Sequence, residues 1–471
     1  MRRTKVVCTL GPASREPGIL RELMLAGMDV ARLNFSHGTR KEKAEDIDNL
    51  RRLSAELERP LAILADLQGP RIRVGDISGG EVILEEGAGF TLTTRPIEGN
   101  REVASVSFAE LPGDVSPGDN ILIDSGLLKL RVEGVRGSDI LCRVVVGGRL
   151  RAHRGMNLPD VSLSMDSITE KDEEDLKFAL TRGVDWVAMS FVRSAADVAR
   201  LKKLVAEEGS PTLIVAKVER RGAVENIDEI LEVADGVMVA RGDLGVEMSA
   251  EEVPLIQKRV IGKAMKSGKP VITATQMLES MLASPRPTRA EASDVANAIF
   301  DGTDALMLSG ETAVGSYPVE AVRTMATIAE KTESFIDYAG QLIHKSDWVK
   351  GDVSDAISFA ACELAADLGV GFIVTATQSG STARRVSRYR PPAGIVAVSP
   401  EDGTVRQLTL SWGVIPLLVP PSKDISEVFD GGVKAVQGRG LVTKGDRVVI
   451  TAGVLVNVPG TTDIIKVQEV E

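Results

Sequence analysis

The stretch from Leu213 to Glu247, LIVAKVERRGAVENIDEILEVADGVMVARGDLGVE, holds two strand-and-helix units in succession. Leu213-Ile214-Val215-Ala216 is an apolar run of the kind that forms a buried parallel strand. It stops abruptly at Lys217-Val218-Glu219, and alternation along an extended chain sends Lys217 and Glu219 to the same side. A helical segment follows, and a second apolar run, Gly236 to Ala240, ends in Arg241-Gly242-Asp243. Two strands of a β/α repeat thus each carry charge to the C-terminal tip, where β/α barrels build their active sites. Glu219 and Asp243, with no His or Cys close by, suit a hard cation such as Mg²⁺, which takes few protein oxygens and leaves other positions to water and phosphate. The plain alternative is a surface Lys–Glu pair and an Asp capping the next helix.

Outward from this stretch the same unit repeats. Strands are expected at Lys5–Leu10, Val30–Asn34, Leu61–Ala65, Trp186–Ser190, from Pro270, and at Ala305–Leu308, with helices such as Pro17–Ala26, Lys41–Glu58, Glu170–Thr181 and Arg289–Phe300 between them. With the two strands of the opening stretch this makes eight, the count of a (β/α)₈ barrel. The pattern breaks between about residues 70 and 154. Alternating runs at Glu81–Leu84, Asn120–Asp124 and Leu127–Val132, parted by turns such as Ser116-Pro117-Gly118-Asp119, read as an inserted β domain, functionally a lid. Near Ser334–Asp352 the texture becomes polar and less periodic, as in a linker. The expected organisation is barrel over 1–69 and 155–340, lid over 70–154, and a C-terminal α/β domain over 341–471 with strands near Gly371–Thr375, Gly394–Val398 and Arg447–Thr451.

Composition narrows the function. A chain of 471 residues with a net charge of −11 argues against broad nucleic-acid binding, while local arginine clusters suit a small anionic ligand. No apolar run reaches the ~20 residues that span a bilayer, and the start passes from a basic tip into a strand, unlike a signal peptide. Cys8, Cys142 and Cys362 lack metal-ligand spacing, which points to a reducing, cytoplasmic compartment. Neither a Gly-x-Gly-x-x-Gly nor a Walker phosphate loop occurs. The segment Arg32-Leu33-Asn34-Phe35-Ser36-His37-Gly38 at a strand end instead gathers Arg, Asn, Ser and His, groups that suit an anion.

These motifs resemble one family, the pyruvate kinases. The resemblance runs from Thr4-Lys5-Val6-Val7-Cys8-Thr9-Leu10-Gly11-Pro12-Ala13-Ser14 to Pro459-Gly460-Thr461-Thr462. Its most specific parts are Ala274-Thr275-Gln276-Met277-Leu278-Glu279-Ser280-Met281, Pro285-Arg286-Pro287-Thr288-Arg289-Ala290-Glu291 and Leu308-Ser309-Gly310-Glu311-Thr312-Ala313. It implies a barrel, a β-barrel lid and a C-terminal regulatory domain. It also implies phosphoryl transfer from phosphoenolpyruvate to ADP in a cytoplasmic homotetramer, with no nucleic-acid or membrane partner. By matched motif, Glu219 and Asp243 would ligate Mg²⁺ or Mn²⁺, Lys217 would face the transferring phosphoryl group and the enolate, and Thr275 would lie in the proton path to the enolate carbon. Arg32 and Arg73 match phosphate-contacting arginines, the backbone of Ala240, Arg241, Gly242 and Asp243 would face the substrate carboxylate, and Asn34, His37 and Arg154 border the nucleotide. Transfer of this kind needs positioning and charge neutralisation more than covalent help.

Each residue has an ordinary reading beside this one: a strand-end Thr such as Thr275 is most often a helix N-cap, Arg73 suits a lid surface, and Asp66 suits a cap. Asn34, Ser36, Asp66 and the carbonyl of Leu67 match K⁺-ligating positions, but K⁺-dependent members carry an acidic residue after the Gly-Pro where this chain has Arg71, which leaves the K⁺ requirement open. In the C-terminal domain, Thr377, Ser379, Gly380, Ser381 and Thr382 match a loop that cradles the phosphate of an allosteric effector, a sugar phosphate or a nucleoside monophosphate, with Gly453–Thr462 closing over it. Two other functions remain to be separated: a metal-dependent lyase acting through a pyruvate enolate, and a non-catalytic effector-binding protein.

Overall fold

The computed structural model describes residues 1–159, 161, 163–349, 351–454 and 461–471. Eight parallel strands close into a barrel: β1 (Lys5–Thr9), β2 (Val30–Asn34), β3 (Ala62–Asp66), β4 (Trp186–Met189), β5 (Leu213–Val218), β6 (Gly236–Ala240), β7 (Val271–Ala274) and β8 (Ala305–Leu308). Each pairs with its neighbours in chain order, and β8 pairs with β1. The strands follow the apolar runs of the sequence to within a residue or two. The period of two sorts them into two cores. Val7, Val30, Leu64, Trp186, Val215, Met238 and Ile272 fill the interior, and the alternate residues Val6, Cys8, Ala31, Ile63, Ala216 and Val218 pack against the surrounding helices.

Continuing that alternation past the apolar interior predicts the next inward layer. Val30 is followed at the same face by Arg32, Leu64 by Asp66, Ala188 by Ser190, and Val215 by Lys217 and Glu219. Hydrophobic residues therefore end and charged ones begin at one level, near the C-terminal ends of the strands. The opposite end is sealed from the C-terminal domain: Leu410 belongs to the interior cluster, the Trp186 indole N–H donates to the Gln407 carbonyl, and the Ala62 N–H donates to Thr409 Oγ1. A barrel plugged at one end leaves one mouth for chemistry.

Between β3 and β4 the chain builds the inserted β domain. Among the described residues its main sheet has seven strands, with Ile72–Arg73 and Val103–Ser105 at the edges. Those edges meet through a bridge between Val74 and Val106, the Gly75 N–H donating to the Ser105 carbonyl at 2.8 Å. Joining edge to edge gives a small closed barrel without exposed edges. Ile121, Leu130, Ile140 and Leu92 fill it.

The C-terminal domain carries a five-stranded sheet in which Ile464–Glu469 runs antiparallel to Arg447–Ala452 and the other pairings are parallel. The segment expected as a linker differs from expectation. It contains a helix, Tyr338–Ile343, and buries Tyr338, Leu342 and Lys345. Its few apolar residues dock at the junction of barrel and C-terminal domain, too short a pattern to show a period. There Arg390 pairs with Asp304 at 3.0 Å and lies over the Trp412 ring, while Arg3 lies over Tyr338 and Trp412.

Lys345 is buried at this junction, donating to the Tyr389 carbonyl at 3.0 Å. Burial, helped by nearby Arg390 and opposed by Cys362, pushes its ammonium from 10.5 down to about 7. Between those pH values the unfolded chain holds a proton there that the folded chain lacks, so this group's contribution to stability rises with pH across the window. Urea titrations should therefore show unfolding free energy climbing less steeply from pH 7 to 10 in Lys345→Met than in the wild type. Parallel curves would mean that Lys345 keeps its ordinary pKa.

Candidate active site

The charged layer at the barrel mouth centres on Lys217. Its ammonium lies 2.7 Å from Glu219 Oε1 and 3.2 Å from Asp66 Oδ1, and it donates to Ser190 Oγ at 2.8 Å. Asp66 Oδ2 accepts from Arg32 Nε at 2.6 Å, and Arg32 Nη1 donates to Thr9 Oγ1. Glu219 Oε2 accepts the Phe191 N–H at 2.9 Å. All of these side chains are buried. Burial alone would lower the Lys217 pKa, but Asp66 and Glu219 outweigh it and hold the ammonium above its ordinary value. At Asp66 burial works upward, and Lys217 and Arg32 bring the carboxyl below the usual range. Glu219 is pushed up by burial against the pull of Lys217, with Asp243 adding to the rise. A carboxylate buried beside a second one is eased by a cation.

Asp243 lies in the first turn of the helix Arg241–Glu247, with the Arg71 guanidinium 3.9 Å away. Arg71 and Arg220 both face the Phe191 ring. The Arg241 side chain turns away from the mouth: it donates to the carbonyls of Thr275 and Gln276 at 2.8 and 2.9 Å and pairs with Asp294 at 2.6 Å. Those carbonyls belong to a turn in which Thr275 (φ 68°) and Gln276 (φ 54°) are left-handed, a costly conformation for residues with a Cβ. Phe191 (φ 56°) shares it. Thr275 caps no helix of its own. Its Oγ1 accepts the Gly242 N–H at 2.7 Å, so it caps the helix after the adjacent strand β6 and donates in turn to the Ala274 carbonyl.

A cleft of about 420 Å³ separates this layer from the lid, lined by Arg71, Arg73, Arg154, Asp243, Gly242 and Gln276 among others. Arg73 donates to the His153 carbonyl, and Arg154 pairs with Asp124 at 3.5 Å. His37 borders a separate cavity of about 160 Å³ beside Lys43 and Lys171. Burial and then the charges of Arg71, Lys43, Arg73 and Arg32 lower its pKa. Asn34 Oδ1 accepts the Ser36 N–H, and the Leu67 carbonyl accepts from Ser190 Oγ at 2.8 Å. The mouth thus gathers Arg32, Asp66, Lys217 and Glu219 in one contact network, with Asp243, Arg73 and Arg154 on the cleft and His37 set apart. Ser190 escaped the sequence reading although its place, the residue just past a strand, was the available signal. The Arg241 side chain gave none.

In the C-terminal domain Thr377, Ser381 and Thr382 line a cavity of about 570 Å³. Thr382 Oγ1 shares a hydrogen bond with Thr462 Oγ1 at 2.7 Å, and the Ser379 carbonyl accepts from Arg384. Gly380 is left-handed at φ 79° just before the helix Ser381–Arg388. Of the segment Gly453–Thr462, residues 455–460 lie outside the described residues.

A barrel with a buried ammonium between carboxylates and arginines on the facing lid has the makings of a phosphotransferase. A family model described as pyruvate kinase, barrel domain, matches residues 1–322, and one described as pyruvate kinase, alpha/beta domain, matches residues 355–468. A pyruvate kinase of Clostridium acetobutylicum is 47% identical over the whole of both chains. Pyruvate kinase 2 of Synechocystis is 48% identical over all of this chain and 80% of its own length, and a pyruvate kinase of Geobacillus stearothermophilus is 48% identical over 99% of this chain and 80% of its own. The chain belongs to the pyruvate kinase family. Among the described residues no helix is long and apolar enough to cross a membrane.

Arg241 acts as a positioning residue for the strained turn. Arg241→Lys keeps a charge for Asp294 but loses the fork that holds two carbonyls. We expect a stability loss of about 1–3 kcal/mol and a turnover reduced more than tenfold in steady-state assays. Turnover within twofold of the wild type would show that the turn holds itself.

Proposed function

We propose that this chain transfers the phosphoryl group of phosphoenolpyruvate to ADP, yielding pyruvate and ATP. The observation that carries the reading is the buried Lys217 ammonium, held charged by Asp66 and Glu219 at the strand tips that also present Asp243. The P–O bond of the donor breaks as one to the terminal oxygen of ADP forms, and the enolate left behind takes a proton at its methylene carbon. Lys217 faces the phosphoryl group and neutralises charge on the enolate oxygen. Arg32 and, from the lid, Arg73 hold phosphate oxygens. The turn Ala240–Asp243 meets the substrate carboxylate, and the Thr275 hydroxyl lies in the proton path. Asn34, His37 and Arg154 border the nucleotide, and lid closure excludes water.

Glu219 and Asp243 would hold the divalent ion, Mg²⁺ or Mn²⁺. The residues fit it. Among the described residues no group of three or more His, Cys, Asp or Glu could enclose a metal, and Mg²⁺ is content with one or two carboxylates and substrate phosphate. The upward push on Glu219 is what a bound cation reverses. When bound, the ion withdraws charge from phosphoryl and enolate oxygens. Of the residues that would ligate K⁺, Asn34, Ser36, Asp66 and Leu67, the Asn34 and Asp66 side-chain oxygens and the Leu67 carbonyl already accept hydrogen bonds within the chain, and Arg71 supplies a permanent charge at the mouth. We infer that turnover does not need K⁺. The loop of Thr377, Ser379, Gly380, Ser381 and Thr382 would cradle a phosphorylated effector. The family resemblance supports a cytoplasmic homotetramer.

Pyruvate release from phosphoenolpyruvate and ADP, followed through a coupled dehydrogenase, tests the reaction. It should be strong in the wild type, absent in a folded Glu219→Gln variant, and the same within about twofold in K⁺ and tetramethylammonium buffers. Turnover of Glu219→Gln at unchanged Mg²⁺ affinity would refute the ligand assignment. A large activation by K⁺ would refute the role given to Arg71.

A further inference from the structure

The sealed end of the barrel meets the C-terminal domain, and one recess there collects positive charge. Lys269, in the turn between the helix Val253–Lys266 and β7, lines it from the barrel side together with Asp304, the residue before β8. Arg384 and Arg388 of the helix Ser381–Arg388, with Arg390 and Ser411, line it from the C-terminal domain. The charges do not balance. Asp304 pairs with Arg390 at 3.0 Å and Asp355 with Arg388 at 2.9 Å. Asp235, which acts on both Lys269 and Arg384, is already held by Lys202 at 2.8 Å. Among the described residues Lys269 and Arg384 form no ion pair. Burial lowers the Lys269 pKa, Asp235 opposes the fall, and Lys202 and Arg384 add to it.

Hydrogen bonding is incomplete at the same place. Arg384 Nη1, Arg388 Nε, Arg390 Nε and Ser411 Oγ are buried and have no partner among the described residues. Three of these side chains are more than nine-tenths buried: Arg388, Arg390 and Ser411 are 8%, 3% and 2% exposed. The other ends of the two guanidinium groups are fixed. Arg390 donates to Asp304, Ser387 and the Gly302 carbonyl, and Arg388 to Asp355, the Trp348 carbonyl and the Tyr389 hydroxyl. Neither group can swing away to satisfy its Nε elsewhere.

Buried donors without a partner are costly. Guanidinium N–H groups donate and never accept, so only an acceptor meets them. A water would accept from some of them and leave the surplus charge in place. An anion accepts from several donors at once and offsets Lys269 and Arg384 as well. Size narrows the choice. The recess leaves about 10 Å³, the room of one water-sized occupant and too little for a phosphate ester.

From the unpartnered donors, the surplus charge and the size of the recess, we propose a halide site: one chloride ion at the sealed end of the barrel that neutralises Lys269 and Arg384 and ties the C-terminal domain to the turn before β7. The site lies at the end of the barrel opposite the cleft, and its ligand is a monatomic anion.

Thermal melting of the full-length protein without substrates, in sodium chloride, sodium bromide or sodium gluconate at equal ionic strength, tests this. Gluconate is too large for the recess and controls for screening. Up to about 0.2 M salt, chloride and bromide should raise the melting temperature about 2 °C more than gluconate does, and the increment should saturate. Lys269→Met, which keeps length and removes charge, and Ser411→Ala should each lose most of that increment. In gluconate Lys269→Met should melt no lower than the wild type, because it removes a charge that has no counter-charge. Crystals grown in bromide should show an anomalous peak beside Lys269 and Ser411. Equal melting in the three salts, an increment that survives either substitution, or bromide crystals without that peak would overturn the proposal. So would a Lys269→Met variant that melts below the wild type in gluconate, since Lys269 would then be held by protein contacts alone.

Discussion

A buried ammonium must be neutralised where it sits, and Lys217 is buried at the barrel mouth. Leaving such a charge unpaired costs several kcal/mol. Asp66 and Glu219 supply the neutralisation, and each comes from a different place in the chain: the end of β3 and the residue just past β5. Asp66 in turn holds Arg32 of β2. The network therefore links β2, β3 and β5, with Thr9 at the end of β1 on Arg32 and Ser190 after β4 on Lys217. Two cations, Arg32 and Lys217, face two anions, Asp66 and Glu219, so the inner set is balanced. A divalent ion added at Glu219 and Asp243 would tip the mouth positive, which is what a phosphorylated substrate requires.

The fold makes that balance usable. The interior below Lys217 is packed with side chains and stoppered by Leu410, so ligands have access from one side only. Above it stands the small closed β domain, whose Arg73 and Arg154 share the cleft with Asp243. Strained residues collect here: Phe191, Thr275 and Gln276 on the barrel side, Asp124, Ser125 and His153 on the lid side. Left-handed backbone at so many non-glycine positions around one cleft has a cost that the surrounding contacts must offset. The Arg241 fork onto the Thr275 and Gln276 carbonyls is one such contact, and the Phe191 N–H on Glu219 is another.

Much of this was legible in the sequence, for identifiable reasons. Short apolar runs parted by amphipathic helices mark a parallel barrel, and the period of two foretold that Lys217 and Glu219 share a face. Gly- and Pro-punctuated alternation between residues 70 and 154 marked the insertion. Other features had no local signature. The docking of Tyr338, Leu342 and Lys345 depends on a junction made by residues far away in the chain. The capping of one helix by Thr275 from the next strand, and the retreat of the Arg241 side chain from the mouth, depend on a turn whose left-handed residues carry no glycine to announce them. Ser190 could have been found by applying the strand-tip rule to the strand expected at Trp186–Ser190, which it ends.

The proposed role of Lys217 is open to a direct measurement. In Lys217→Met the side-chain length is kept and the charge removed. Rapid-quench measurement of ATP formed in a single turnover, on protein whose cooperative melting and phosphoenolpyruvate binding have been verified, isolates the transfer step. Loss of the ammonium should slow ATP formation by at least about 10²–10³-fold. ATP formation within tenfold of the wild type would contradict the account.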